Sequence, residues 1–279
     1  MPESPRWLAA HTDADIESHD SSLRRAMKKI RFDDEIDDEL HELVEECQEE
    51  KELGVASWRE LFNVNNKMRY RLLLGIGLQG FQQISGINSI MFYAPSILNE
   101  FFGEQEAIIG TFALNFVNFF ATFIAIYCIE RVGRVKLLFS GGIIMMLALV
   151  AEAILASVEA TPAVGYIVTV FAAIFIIGFA YSWGPVVWVV CAEFFPLRAR
   201  GKATGMTTMT NWIFTTIVGA VFPVAKTASL TGCFAFFSVM ITLGTVMVYF
   251  YLAETANKNI IEIDEVYAKH KPKLLRKKW

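Results

Sequence analysis

The chain has 279 residues, of which 54% are hydrophobic, 13% aromatic and 19% charged, with 23 phenylalanines. That is too apolar for an ordinary soluble domain of this length. A formal net charge of −4, with no basic stripe interleaved with aromatics, argues against a nucleic-acid partner, and the chain reads as a membrane protein.

Met1 to Leu8 (MPESPRWL) runs into polar sequence rather than an apolar core, so no cleavable signal peptide is expected and the first span directs insertion. Residues 9 to about 69 are charge-mixed. Within them the acidic block DDEIDDELHELVEECQEEKE places Ile36, Leu40, Leu43, Val44 and Cys47 at i, i+4, i+7, i+8 and i+11. This spacing predicts an amphipathic helix in a soluble segment. Its acidic face reads better as a solvated surface than as a site for a basic partner.

From Tyr70 onward the apolar runs are long enough to cross a bilayer, and six spans are predicted at roughly 70–98, 107–129, 136–157, 163–191, 204–225 and 230–252. Basic residues mark alternate ends. Arg59, Lys67, Arg69 and Arg71 precede the first span, Arg131, Arg134 and Lys136 follow the second, Arg198, Arg200 and Lys202 follow the fourth, and KHKPKLLRKK follows the sixth. The loops NEFFGEQE and VEATPA carry none, so both termini are expected in the cytosol. The expected organisation is a cytosolic helical segment (1–69), a six-helix membrane bundle (70–252) and a basic cytosolic tail (253–279).

The first span contains GFQQISGINSIMFYAP, with amides where lipid-facing sequence carries none. Residues three, four and seven apart share a helix face, and three polar stripes emerge: Gln79, Gln82, Gln83 and Gly86 in the first span; Thr111, Asn115, Asn118 and Thr122 in the second; Thr204, Thr208, Asn211 and Thr215 in the fifth. A single hydroxyl or amide of this kind reads as interhelical glue. Three stripes together favour a water-filled pathway. Glu152, the carboxylate well inside the third span, is expected to snorkel to the interface.

GIGLQG matches a dinucleotide-binding glycine pattern, but it lies inside a membrane span with no βαβ unit around it; Gly75, Gly77 and Gly80 read as points of close helix approach. Cys47, Cys128, Cys191 and Cys233 are far apart and the histidines join none of them, so neither a zinc site nor a disulfide framework is indicated. No paired catalytic carboxylates, Ser/His/Asp set or phosphate loop stands in a fitting context, so no enzyme, cofactor or metal is expected. Carboxamides offer two donors and an acceptor with two lone pairs, which suits hydroxyls, whereas an ionic solute would need a counter-charge. Trp188 and Trp212 add flat faces able to stack on a sugar ring, and a neutral polyol is the expected solute.

In order and spacing, several motifs resemble those of the C-terminal half of a sugar porter of the major facilitator superfamily: PESPRWL, QQISGIN, ERVGR, GPVVWVVCAEFFPLRARGKA, NW and AETANKNIIEIDEVY. The resemblance implies an all-α integral membrane fold, a six-helix half, and transport of hexose by alternating access. It implies that Gln82, Gln83, Asn88, Asn118, Trp188 and Asn211 bond the sugar. Asn88 shares no face with Gln82 in a straight helix, so a break at Gly86 is expected, between Ser85 and Asn88. The resemblance also implies a cytoplasmic gate of salt bridges from Glu130, Arg131, Arg134, Glu193 and Arg200. Val135, Val187 and Phe92 depart from the usual arginine, proline and tyrosine, and AETANKN lacks the proline and Lys-Gly of the family's closing segment. The six helices that open a full porter have no counterpart here. The expectation is an incomplete plasma-membrane transporter that needs an N-terminal half or self-association; the alternative is a non-transporting remnant or sugar-sensing membrane protein.

Overall fold

The computed structural model describes residues 3–11, 22–30, 36–54, 56–63, 67–256, 258 and 260–269, and among them there is no strand. The chain divides into two compact bodies, one made of Met1–Trp58 with Leu197–Ala199, the other of Arg59–Pro196 with Arg200–Trp279.

The first body contains α1 (Pro5–His11), α2 (Ser22–Lys28) and α3 (Asp37–Leu53). The predicted stripe is its core: Ile36, Leu40, Val44 and Cys47 are buried with Leu23 and Met27, and Leu43 packs against them. Asp37, Asp38 and Glu39 occupy the first turn of α3, where negative charge complements the helix dipole, and Arg24 pairs with Asp37.

After the short α4 (Trp58–Leu61), the second body holds α5 (Met68–Ile84), α6 (Ile87–Leu98), α7 (Glu104–Val132), α8 (Arg134–Leu155), α9 (Pro162–Gly178), a π-helical turn (Phe179–Trp183), α10 (Gly184–Glu193), α11 (Leu197–Ala228), α12 (Leu230–Tyr251) and α13 (Ile260–Lys269). Five helical stretches are long and apolar enough to cross a membrane: Glu104–Val132, Arg134–Leu155, Pro162–Glu193, Arg198–Ala228 and Leu230–Tyr251. The remaining predicted span consists of α5 and α6, broken where sequence reading expected. Gly86 sits at φ 86°, ψ 8°, a left-handed conformation that interrupts the helix and costs glycine little.

Local chemistry sets several boundaries. Thr161 caps α9 through Val164 N at 3.3 Å, with Pro162 at the first helical position, and Ser229 caps α12 through Gly232 N at 2.9 Å. Two carboxylate oxygens of Glu254 accept from Arg134 N (2.8 Å) and Val135 N (3.1 Å), placing negative charge at the N-terminus of α8.

α8 packs chiefly on α12 and α9, and small residues permit the approach. A methyl carbon at Gly141 would lie 1.7 Å from Ser182 Oγ and 2.8 Å from Gly178 O. The GIGLQG glycines act likewise: a methyl at Gly75 would meet Thr207 at 2.8 Å and one at Gly77 would meet Met247 Sδ at 2.8 Å. Gly205 in α11 has nothing within 4 Å of the same position. Gly141→Ala is therefore expected to lower stability in detergent by about 1–3 kcal/mol, the usual range for overpacking. Gly205→Ala should be neutral or slightly stabilising. Equal melting temperatures for the two variants would contradict this packing.

Near the start of α5, Arg71 is 3% exposed, donates to Phe194 O (2.9 Å), pairs with Asp264 of α13, and lies 5.0 Å above the Tyr267 ring. α13 is thereby fixed to the ends of α5 and α10. Burial pushes the Tyr267 phenol above its ordinary range.

Candidate functional site

The break at Gly86 turns Asn88 back toward α5, so that Asn88 Nδ2 donates to Gln83 Oε1 at 2.6 Å. Gln83 Nε2 donates to Gln82 Oε1 (3.2 Å) and to Asn211 Oδ1 on α11 (3.1 Å). Asn211 Nδ2 donates to Gln79 Oε1 (2.6 Å) and Gln82 Oε1 (2.7 Å). Gln82 Nε2 donates to the carbonyls of Trp183 (2.6 Å) and Gly184 (3.0 Å), where the π turn meets α10. Five carboxamides thus join α5, α6, α10 and α11 in one network, with Gln79, Gln82, Gln83 and Asn211 buried and Asn88 half-buried.

The donor and acceptor inventory of these groups decides what the network can still bind. Both N–H groups and both lone pairs of Gln82 are used inside the protein. Asn211 and Gln83 have spent their donors, and each keeps one lone pair. Asn88 retains one N–H and its whole carbonyl oxygen. Gln79 keeps one lone pair and a buried Nε2 with no hydrogen-bond partner, while what remains at Gln83 and Asn88 is mostly acceptor. Such a site suits a solute that both donates and accepts hydrogen bonds, as hydroxyls do.

Asn118 and Trp188 stand apart from this network. Asn118 is half-buried on α7, where its backbone carbonyl accepts from Thr122 Oγ1 at 2.9 Å, and Trp188 is 39% exposed on α10. The rest of the α7 stripe turns back on its own helix: Thr111 Oγ1 donates to Ala107 O (2.8 Å) and Asn115 Nδ2 to Thr111 O (2.9 Å). Gln79 belonged to the first predicted stripe but not to the predicted sugar contacts; its bond to Asn211 makes it part of the network.

Of the predicted gate residues, the structure joins Arg134 and Glu193. Arg134 Nη2 donates to Glu193 Oε1 at 2.8 Å, and Thr255 Oγ1 donates to Glu193 Oε2 at 2.8 Å. Glu254, which accepts from the backbone at the start of α8, completes the cluster. Sequence reading missed Glu254 and Thr255 by weighing what AETANKN lacks over the Glu-Thr pair it keeps. Arg131 instead lies 4.1 Å above the Tyr127 ring of its own helix, and Arg200 donates to Phe195 O at 3.3 Å. Among the described residues Glu130, Arg131 and Arg200 take part in no ion pair.

The bundle, with its broken α5–α6 span, has the major facilitator fold. It superposes on the proton:xylose symporter XylE bound to 6-bromo-6-deoxy-D-glucose with a TM-score of 0.74 at 22% identity, covering 96% of this chain and 55% of that one. Inward-open XylE from E. coli superposes at 0.70, with 23% identity over 95% of this chain and 52% of that one. The family model for "Sugar (and other) transporter" matches residues 1–267, and the chain belongs to that family. Similar relatives include glucose transporter GlcP of Staphylococcus epidermidis, 35% identical over 95% of this chain and 57% of the relative. Sugar transport protein 12 of Arabidopsis thaliana is 35% identical over 97% of this chain and 53% of the relative. The chain spans a little over half the length of these relatives.

Proposed function

We propose that this bundle forms one wall of a pathway for a neutral hexose moved by alternating access, with Gln82, Gln83, Asn88, Asn118, Trp188 and Asn211 around the sugar. The observation that carries this is the unspent hydrogen-bonding capacity at Gln83 and Asn88, mostly acceptor, which fits a polyol rather than an ion. Similarity to named glucose and sugar transport proteins supports the same solute class. Gln83 and Asn88 contact the sugar most directly in this reading; Gln79, Gln82 and Asn211 hold them in position. Asn118 and Trp188, outside the network, join when the pathway closes around its cargo.

Alternating access needs two walls about a midplane site. The second wall comes from a further six-helix bundle or from another copy of this chain, and polar positions on α7 and α11 would then line water rather than lipid. Arg134, Glu193, Glu254 and Thr255 would hold the inner side closed in one state, with Glu130, Arg131 and Arg200 engaging as the walls rock. The loop charges favour cytosolic termini, and the plasma membrane is the proposed location.

Uptake of labelled hexose into vesicles without other carriers tests this reading. The chain alone is expected to be inactive, and the chain supplied with six further helices active. Asn88→Ala in the active form should weaken apparent affinity roughly 5- to 150-fold, equivalent to about 1–3 kcal/mol of hydrogen bonding. Saturable uptake by a monomeric chain alone would contradict the need for a second wall. Unchanged affinity in Asn88→Ala would contradict the sugar site. No uptake in any form, with binding intact, would favour a sensing role.

A further inference from the structure

Glu152 does not reach the membrane interface as its sequence position suggests. It lies in the last turn of α8, is 1% exposed, and its Oε2 has no hydrogen-bond partner. Met145, seven residues earlier on the same face, packs against Gly178 of α9, so Glu152 continues a stripe directed into the bundle. Among the described residues no lysine, arginine or histidine pairs with it.

The elements packed on α8 bring no compensating charge. At this end of the bundle their titratable groups are Glu104 and Glu106 of α7, Tyr166 of α9 and Cys233 of α12, and none bonds to Glu152. Tyr166 stacks on Phe102, with ring centroids 4.8 Å apart. Tyr181 of the π turn and Glu193 of α10 lie toward the other end, bonded to Ser140 and Arg134. The carbonyl end of the α8 dipole is itself partly negative, so an ionised carboxylate in its last turn would meet like charge as well as lose its hydration. Ionisable side chains covered in this way inside membrane bundles commonly mark functional sites.

We propose that Glu152 is a proton-binding site in the wall of the bundle. The carboxyl holds its proton while α8, α9 and α12 are packed as described; release passes the proton to water and leaves a carboxylate, which requires that packing to loosen. This site is independent of the sugar reading, because no member of the amide network touches Glu152.

The test is infrared difference spectroscopy of the purified full chain in lipid bilayers, wild type against Glu152→Gln. The wild type is expected to show a protonated-acid carbonyl band at neutral pH that is absent from the variant and fades reversibly on alkaline titration. A carboxylate signature at neutral pH in its place would overturn the proposal. So would an acid band that persists until the fold is lost, because the group would then be a permanently neutral packing residue. A water-soluble carbodiimide with an added amine should modify exposed Glu159 and spare Glu152; equal modification of the two would show a solvated carboxylate and also refute the site.

Discussion

Gln82→Ala is expected to cost the bundle about 2–6 kcal/mol, measured as loss of thermal and denaturant stability in detergent. The estimate follows from four hydrogen bonds at about 0.5–1.5 kcal/mol each, lost from a buried position. Two are donated to the Trp183 and Gly184 carbonyls and two accepted from Gln83 and Asn211. Because these partners sit on the π turn, α10, α5 and α11, the variant unties the elements that meet at the site. The four bonds share one network, so their losses will not simply add. Asn115→Ala is the control: that exposed amide bonds only to the carbonyl one turn back, and its removal should change stability by less than about 0.5 kcal/mol. If the two variants melt alike, Gln82 is not the hub of the network. If Gln82 is the hub, loss of uptake in Gln82→Ala reports collapse of the site, and Asn88→Ala becomes the cleaner probe of sugar contact.

Much of the fold was legible because membrane spans and amphipathic helices follow from hydropathy and periodicity alone. The α3 stripe from Ile36 to Cys47 is of this kind. So are Gln82, Gln83 and Asn211, whose faces follow from helical spacing. The break at Gly86, by contrast, was expected only because the family resemblance puts Asn88 beside Gln82. Other parts were not legible because they depend on which groups meet in three dimensions. Spacing gave Gln79 and Gln82 equal standing on one stripe, yet it could not reveal that Gln82 spends its donors on backbone carbonyls. The π turn leaves no periodicity signal, since a single wide turn hardly shifts an apolar pattern already hydrophobic on all sides. Glu152 was misjudged for a related reason: nearness to a helix end suggests access to water, and only packing by neighbouring helices decides otherwise. Glu254 caps α8 from more than a hundred residues away, which no local capping pattern reveals.

Gly86→Ala is the second substitution expected to have a large effect, and two separable causes predict it. The φ of 86° is costly for any residue with a Cβ, by about 1–2 kcal/mol. A methyl there would also lie 2.3 Å from Phe237 Cδ2. Phe237 has little room to yield: it is 4% exposed and lies 6.0 Å, centroid to centroid, from Phe222 and 5.9 Å from Phe236. Overpacking of this kind adds about 1–3 kcal/mol, for a total near 2–5 kcal/mol. The functional loss should exceed what stability alone explains. Gln83 and Asn88 are five residues apart, about 140° around an unbroken helix, and only the turn at Gly86 lets them bond at 2.6 Å. Two further variants separate the causes. Gly86→Asn should recover part of the backbone cost, because asparagine tolerates the left-handed region, while keeping the clash. In a Phe237→Leu background the clash should shrink, and Gly86→Ala should then cost little more than the backbone term. If Gly86→Ala melts within about 0.5 kcal/mol of the parent and leaves hexose affinity unchanged in the active assembly, α5 and α6 can run on as one helix. The amide network would then not depend on the break.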